Sequence, residues 1–256
     1  MAWLELDGAV NVRDVGGIAA ADGRQIAAGR LLRGDDLNDL SPADVDLLVT
    51  QIGLTTVIDL RSPAEVRDRG PGPLSRAGRV RHVHHSLLPE LGLADDVAGA
   101  MEERIDRARA RYRGDLRCGL YLGYLEERPA QVAAAVRDIA RAGGPVMVHC
   151  AAGKDRTGVT IGVLLSAVGV PRDAALADYD ATNEVIDEVV ESLSEMFGGP
   201  EGIARIPLAM RKAQPGALAD VLDRLDRDFG GAAGWLRSRG MDDTELDLLR
   251  HRLVAP

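Results

Sequence analysis

The sequence predicts an α/β fold: a small, mostly parallel sheet flanked by helices. Three observations predict it. Strand-like runs are short, apolar and β-branched, as in Thr55–Leu60 and Pro145–His149. Stretches with helical apolar spacing separate them, which is the pattern of crossover connections over a sheet covered on both faces. With 256 residues, 46% apolar and 28% charged, the chain has globular composition and is long enough to bury a core without disulfides or metals. It carries no repeat, low-complexity tract or long linker, so residues 1–256 read as one domain.

In chain order, Ile18–Ile26, turning at Asp22-Gly23, predicts an edge hairpin. Ser41-Pro42-Ala43-Asp44 and Ser62-Pro63-Ala64-Glu65 each offer an N-cap, a proline at the first helical position and an acid at the third. The first of these helices should stop at Gly53. Thr55–Leu60 predicts a buried strand and Arg79–Val83 a weaker one. Helices are expected over 94–112 and 117–127, and again from Pro129, where Val132, Val136 and Ile139 recur at helical spacing. Gly143-Gly144 leads into the buried strand Pro145–His149. Further helices are expected over 156–168, 172–180 and 183–196. Gly198-Gly199-Pro200 and Gly202 then break the chain, and helices resume over 203–212, 215–229 and 242–253. The glycine-broken stretch 180–214 reads as an excursion from the domain, either a lid over a site or an ordinary helical pair packed on the core.

Composition excludes several functions. Lys and Arg number 31 against 40 Asp and Glu, a net charge of −9, which repels nucleic acid and anionic lipid at long range. Aromatic residues are only 3%, too few for a stacking platform on single strands. No nucleic-acid partner is expected, and any anion must be held by a local constellation. The two cysteines, Cys118 and Cys150, do not make a disulfide scaffold. The N-terminus has no basic segment followed by an apolar one. The longest apolar run, Val159–Val170, contains Gly162, Ser166 and Gly169 and is too short to span a bilayer. The expectation is a cytoplasmic protein with no transmembrane segment, although a signal-free export route would leave no mark here.

The chemistry concentrates in Val146-Met147-Val148-His149-Cys150-Ala151-Ala152-Gly153-Lys154-Asp155-Arg156-Thr157-Gly158. A buried strand runs into a cysteine, and a helix starts near the arginine six positions on. The small residues Ala151, Ala152 and Gly153 let backbone N–H groups curl around a phosphate-sized anion, with Gly153 free to take positive φ. The helix N-terminus aims its free N–H groups and dipole at the same point. A thiol there has its ionised form favoured. Arg156 offers a planar fork for two phosphoryl oxygens. A thiolate facing a cradled phosphate implies in-line attack, a phosphocysteine intermediate and its hydrolysis to inorganic phosphate, with no metal or other cofactor. Asp155 is the first candidate for the acid that protonates the leaving group. Thr157 is placed to donate its hydroxyl to the sulfur, and His149 to support the loop.

Competing patterns fit less well. A Walker phosphate loop fails, because Gly153-Lys154 is followed by Asp155 and the earlier glycine position is Val148. A sulfurtransferase also cradles a cysteine before a helix, and a phosphate-binding module without turnover would use the same loop. A merely buried cysteine would not accept Lys154, Asp155 and Arg156 beside it.

The run from His149-Cys150 to Arg156-Thr157-Gly158 resembles the signature of the cysteine-dependent protein tyrosine and dual-specificity phosphatases. The filling Ala-Ala-Gly-Lys-Asp-Arg is similar to that of a bacterial subgroup known from mycobacteria. Asn11-Val12-Arg13-Asp14-Val15-Gly16-Gly17, Leu32-Arg33-Gly34 with Leu37, Asp59-Leu60-Arg61-Ser62, and Phe229-Gly230-Gly231 through Trp235-Leu236 to Leu249 look like further motifs of that subgroup. The resemblance spans nearly the whole chain. It implies a phosphotyrosine phosphatase fold, with Cys150 as nucleophile, Arg156 as phosphate binder and functional roles for Lys154 and Asp155. It implies phosphorylated proteins as partners, through phosphotyrosine and also phosphoserine or phosphothreonine, or else phosphoinositides. Lys154 is the handle for a second phosphate. It also implies a two-helix lid over 180–214. The subgroup has a further candidate acid before an acidic variable segment. The matching region, Leu88–Asp96, offers Glu90, Asp95 and Asp96, so the acid stays open between Asp155 and these.

The remaining residues have plainer readings. His82, His84 and His85 cluster, but a strand puts only His82 and His84 on one face and no third ligand is evident, so no metal is expected. Cys118 reads as a partly buried apolar-like residue, the alternative being a regulatory disulfide with Cys150. Tyr121, Tyr124 and Phe197 either wall a pocket or pack between helices. Arg13, Asp14, Arg33 and Asp59 are expected to form ion pairs that support the loop from behind.

Overall fold

The computed structural model describes residues 1–88, 103, 105–110, 112, 114–194, 196, 199–206 and 208–255. Six short strands form one sheet: β1 (Ala2–Trp3), β2 (Arg13–Asp14), β3 (Leu31–Gly34), β4 (Thr56–Asp59), β5 (Arg81–His84) and β6 (Val146–His149), in the order β1-β2-β3-β6-β4-β5. The pairs β3–β6, β6–β4 and β4–β5 are parallel, and β1 and β2 add an antiparallel edge. The fold is thus the expected α/β arrangement around a mostly parallel sheet.

Side chains alternate across this sheet with period two. Leu31, Ile58, Val146 and Val148 enter one core and Leu32, Val57 and Met147 enter the other. The larger core is roofed by α3 (Leu116–Glu127), α4 (Pro129–Arg141), α5 (Asp155–Ala167), α6 (Arg172–Asp180), α10 (Pro215–Phe229), α11 (Ala232–Ser238) and α12 (Asp243–Leu253). The smaller face is closed by α1 (Pro42–Asp46), its π-helical continuation Leu47–Gln51, and Leu74 of the 3-10 turn Pro73–Arg76. α2 (Pro63–Arg69) follows β4. Ser41 and Ser62 both close full capping boxes, with Asp44 and Glu65 reaching back to the cap amides, so the helix starts lie where the residue types place them.

Several elements depart from expectation. β3 is a strand although its third residue is a buried arginine, because Arg33 finds its counter-charge in Asp178. Residues 18–26 close with a single bridge, Ala19 to Gln25, and Ile26 bridges Val254 instead of joining the sheet. The sheet edge belongs to β1 and β2. The weak strand starts at Arg81, two residues later than expected. Helix 183–196 is split into the 3-10 turn Ala181–Glu184 and α7 (Ile186–Ser192), and 203–212 into α8 (Gly199–Arg205) and α9 (Leu208–Arg211). α11 was not expected. It follows Gly231, whose φ of 108° restarts the chain after α10. Of the stretch expected as helix 94–112, residues 105–110 are helical and 89–102 lie outside the described residues. Among the described residues no helix is long and apolar enough to cross a membrane.

Candidate active site

The parallel register sets Gly34 and Asp59 on either side of His149. Three strands therefore end at one level, and the segments leaving them, Asp35-Asp36, Leu60-Arg61 and Cys150-Ala151, lie side by side. This is the carboxyl edge of the sheet, where crevices form in such folds.

The loop 150–155 is held open by its carbonyls. The Asp36 amide donates to the Ala151 oxygen at 2.9 Å, Asn11 Nδ2 to the Ala152 oxygen at 2.9 Å and Arg33 Nη2 to the Gly153 oxygen at 2.7 Å. In a trans peptide the C=O and the next N–H point in opposite directions, and the described residues contain no cis bond. Three carbonyls turned to the scaffold thus turn the amides of Ala152, Gly153 and Lys154 inward. Gly153 sits at φ 64°, and a Cβ there would come within 2.6 Å of the Gly34 oxygen. Only glycine satisfies both constraints.

Arg156 opens α5 and makes a two-point pair with Glu65, Nη1 to Oε2 at 2.6 Å and Nη2 to Oε1 at 2.7 Å. Cys150 is 1% exposed and Arg156 9%, so the nucleophile candidate lies at the bottom of a covered loop. Burial works against the Arg156 charge, but Glu65 and the Cys150 sulfur outweigh it and hold the guanidinium well above its ordinary range.

Lys154 and Asp155 diverge from this centre. Lys154 Nζ donates to the oxygens of Met210 at 3.0 Å and Arg211 at 2.8 Å, the C-terminal carbonyls of α9. Burial lowers its pKa, against the pull of Asp155 and Cys150. Asp155 Oδ1 accepts from the Tyr121 hydroxyl and lies 3.9 Å from Arg117, while Oδ2 lies 3.6 Å from Lys154 Nζ. Burial pushes this carboxyl up, but Lys154, Arg117 and Tyr121 together hold it below the usual carboxylate range. Ala151 packs with Ile186, Val189 and Leu193. The segment Ile186–Leu193 therefore lies against the 150–155 loop rather than away from it.

A second layer carries the buried charge. Asp178 of α6 pairs with Arg13 at 3.1 Å and Arg33 at 2.5 Å, and Arg13 also donates to Asn11 Oδ1 at 2.6 Å. Arg13 and Asp178 thus brace Asn11 and Arg33, the two side chains that hold the Ala152 and Gly153 carbonyls. His149 Nδ1 meets the Cys150 oxygen at 3.3 Å, and Nε2 lies 3.8 Å from Asp59, which Arg61 clasps at 2.7 Å. Burial lowers the His149 pKa. Asp35 Oδ2 accepts the Val10 amide at 3.2 Å, and burial pushes its carboxyl up to about 7.

A family model described as "Tyrosine phosphatase family" matches residues 4–255. The chain belongs to the tyrosine phosphatase family. Its members are cysteine-dependent phosphatases. The triple specificity protein phosphatase PtpB of Mycobacterium tuberculosis is 33% identical over 290 aligned positions covering all of both chains. A tyrosine-protein phosphatase of Nostoc commune is 30% identical over 236 positions, 89% of this chain and 75% of that one. The crystal structure of P. aeruginosa TpbA aligns over 89% of this chain and 88% of that one, at 18% identity and a TM-score of 0.30, too distant to bear on the site.

Within this phosphatase the loop residues Cys150, Ala151, Ala152, Gly153, Lys154, Asp155 and Arg156 come together as the residue types imply. Thr157 Oγ1 is buried with no hydrogen-bond partner among the described residues. His149, Asp59, Arg13 and Arg33 stand behind the loop, but Asp14 does not. Its carboxylate takes the amides of Gly16 and Gly29 and closes the β2–β3 connection. Glu90, Asp95, Asp96 and Phe197 lie outside the described residues. His84 bonds the Arg61 oxygen and His85 pairs with Asp138, both single contacts. Glu65, Asn11, Asp178, Arg117 and Tyr179 were missed. For Asp178 a signal existed: two arginines in buried motifs require a buried anion. For Glu65 the capping box hid the second role.

Proposed function

We propose that the chain is a phosphomonoester hydrolase that uses the Cys150 thiolate as nucleophile, passes through a phosphocysteine, and acts on phosphotyrosine and also phosphoserine or phosphothreonine in proteins. The observation that supports this reading is the outward tether of the three loop carbonyls, which turns the amides of Ala152, Gly153 and Lys154 the other way, in the loop between Cys150 and Arg156. Preorganised donors of this kind stabilise charge on transferring phosphoryl oxygens without reorganising.

In the first step the sulfur attacks phosphorus, the S–P bond forms, and the P–O bond to the alcohol or phenol breaks with its electron pair on oxygen. Asp155 gives that oxygen a proton. A bound phosphate dianion offsets the positive field of Lys154 and Arg156 around Asp155 and so raises its proton affinity when a proton is needed. In the second step water attacks phosphorus, Asp155 takes a proton from it, and the S–P bond breaks to release inorganic phosphate and the thiolate. The Thr157 hydroxyl, unpartnered among the described residues, is free to donate to the leaving sulfur.

The stretch 180–214 acts as a lid on this reading, since substrate must displace the contacts of Ile186, Val189 and Leu193 with Ala151. Phosphoinositides are the second reading. A phosphate on an inositol ring would replace the Met210 and Arg211 carbonyls at Lys154. Cys150→Ser should abolish p-nitrophenyl phosphate turnover while phosphate still binds, and normal turnover by that variant would overturn the mechanism. A phosphorylated thiol should be trapped from the wild-type protein. Thiosulfate-to-cyanide transfer in place of phosphate release would mark a sulfurtransferase. Phosphopeptides and phosphoinositide headgroups assayed side by side rank the substrates.

A further inference from the structure

Asp155 ends a chain of hydrogen bonds whose polarity is determined at both ends. The backbone N–H of Gln214 meets the Tyr179 hydroxyl at 3.2 Å, and an amide N–H only donates. At the other end the ionised carboxylate of Asp155 only accepts, so the Tyr121 hydroxyl donates to it. That uses the single proton of Tyr121. Across the 2.5 Å between the two hydroxyls, Tyr179 must therefore be the donor. The order runs Gln214 N–H to Tyr179, Tyr179 to Tyr121, Tyr121 to Asp155. Each link polarises the next, and all point positive charge at the carboxylate.

The two phenols are rigid and stay protonated. Each is 1% exposed. Burial, then the Asp155 charge, pushes Tyr179 up to about 12 and Tyr121 well above its ordinary range. Their rings meet edge-on at 6.3 Å, Tyr124 stacks on Tyr121 at 6.0 Å, and a Cβ on Gly158 would strike the Tyr179 ring at 2.6 Å. Helix–helix packing needs the rings. It does not need two hydroxyls in series ending on a loop carboxylate, because a buried phenol is satisfied by one carbonyl.

We infer that Tyr121 is a positioning residue for the phosphatase reaction: its hydroxyl, backed by that of Tyr179, fixes the orientation of the Asp155 carboxylate. This rests on the role of Asp155 in proton transfer proposed above. The groups that face Asp155 are Lys154 and Arg156 from its own loop and helix, Arg117 and Tyr121 from α3, and Tyr179 from α6. Removing the Tyr121 hydroxyl deletes a donor to the charged form alone, so the proton affinity of Asp155 rises.

The test compares wild type, Tyr121→Phe and Asp155→Asn on p-nitrophenyl phosphate, a good leaving group, and on a phosphoserine peptide, a poor one. Tyr121→Phe should lower kcat on the peptide by about tenfold and on the aryl ester by less than about threefold, with KM little changed. The limb of its pH profile that Asp155 controls should move to higher pH. In the Asp155→Asn background the same change should lose its substrate selectivity. Equal losses on both substrates with an unmoved pH profile would overturn the inference. So would a selective loss that persists in full without Asp155. If Tyr121→Phe fails to fold, Tyr179→Phe carries the test. It removes the backing donor, together with the acceptor of the Arg117 side chain and the Gln214 amide, and should give the same selectivity to a smaller extent, and a profile superimposable on wild type would overturn the proposal. A wild-type protein that turns over neither substrate would overturn the proposed function, and this inference with it.

Discussion

Glu65 and Arg156 share two short hydrogen bonds, at 2.6 and 2.7 Å, while the same Glu65 Oε2 also accepts the Ser62 amide at 2.7 Å. One carboxylate thus closes the cap of α2 and sets the plane of the Arg156 guanidinium. Burial alone would raise its pKa, but Arg156 and the Ser62 amide bring it down to about 2.

Glu65→Gln separates the two jobs. Glutamine still serves a capping box, but it turns an NH2 toward the guanidinium and removes the counter-charge. The expected loss in kcat/KM is on the order of 100-fold, the scale of a misplaced catalytic group, measured with p-nitrophenyl phosphate. The pair also has a pH signature. The folded pKa lies below the ordinary 4.5, so its stabilisation is present above that value and is lost as pH falls from there toward about 2. The acid limb of a melting-temperature profile should be flatter in the variant.

Asp178 is the sole acid paired with Arg13 and Arg33 among the described residues, and all three side chains are essentially buried. Asp178→Asn leaves two cations without a counter-charge in the interior. Denaturant unfolding at neutral pH should show a loss of about 3–5 kcal/mol, the range for breaking a buried pair from one side. A loss below about 1 kcal/mol would mean that Asn11 and the backbone oxygens carry the charge instead.

Asp35 works in the opposite direction. Burial raises its carboxyl to about 7 from 3.8. The unfolded chain releases this proton first, so stability falls as pH climbs from about 4 to about 7. Asp35→Asn keeps an acceptor for the Val10 amide without the titration. Its melting temperature should exceed that of wild type by more at pH 8 than at pH 5. An equal difference at both values would show that the carboxyl does not titrate in this range.

Lys154 is bonded to the last carbonyls of α9, and the next amides are held by Asn183 Oδ1 at Ala213 and the Tyr179 hydroxyl at Gln214. Lys154→Met deletes two charged hydrogen bonds from this strap. The amides of Ala213 and Gln214 should then exchange hydrogen more than about tenfold faster. Unchanged exchange would show that the strap is held by its apolar contacts alone.

Much of the site was legible because it is local. The cysteine, the three small residues, Lys154, Asp155 and Arg156 occupy one continuous strand–loop–helix, although the side chains that tether its carbonyls, Asn11 and Arg33, lie 141 and 120 positions away. The cap at Ser62 was legible for the same reason. Asp14 was misplaced because a buried-looking Arg-Asp dipeptide in a strand points its two side chains to opposite faces, and only the Arg13 side faces the loop.

The chain's own order of residues determined the capped helix starts at Ser41 and Ser62 and the α/β class, and it singled out Cys150 and Arg156 as candidates, each written in adjacent residues or in a short period. The tertiary structure alone decided which acid holds Arg156, which anion neutralises Arg13 and Arg33, and why two tyrosines end on Asp155. These partners lie 91, 165, 145, 34 and 58 positions apart, and no periodicity relates them. A buried charge must find a counter-charge somewhere, but the sheet order and the packing of α3, α5 and α6 select which one.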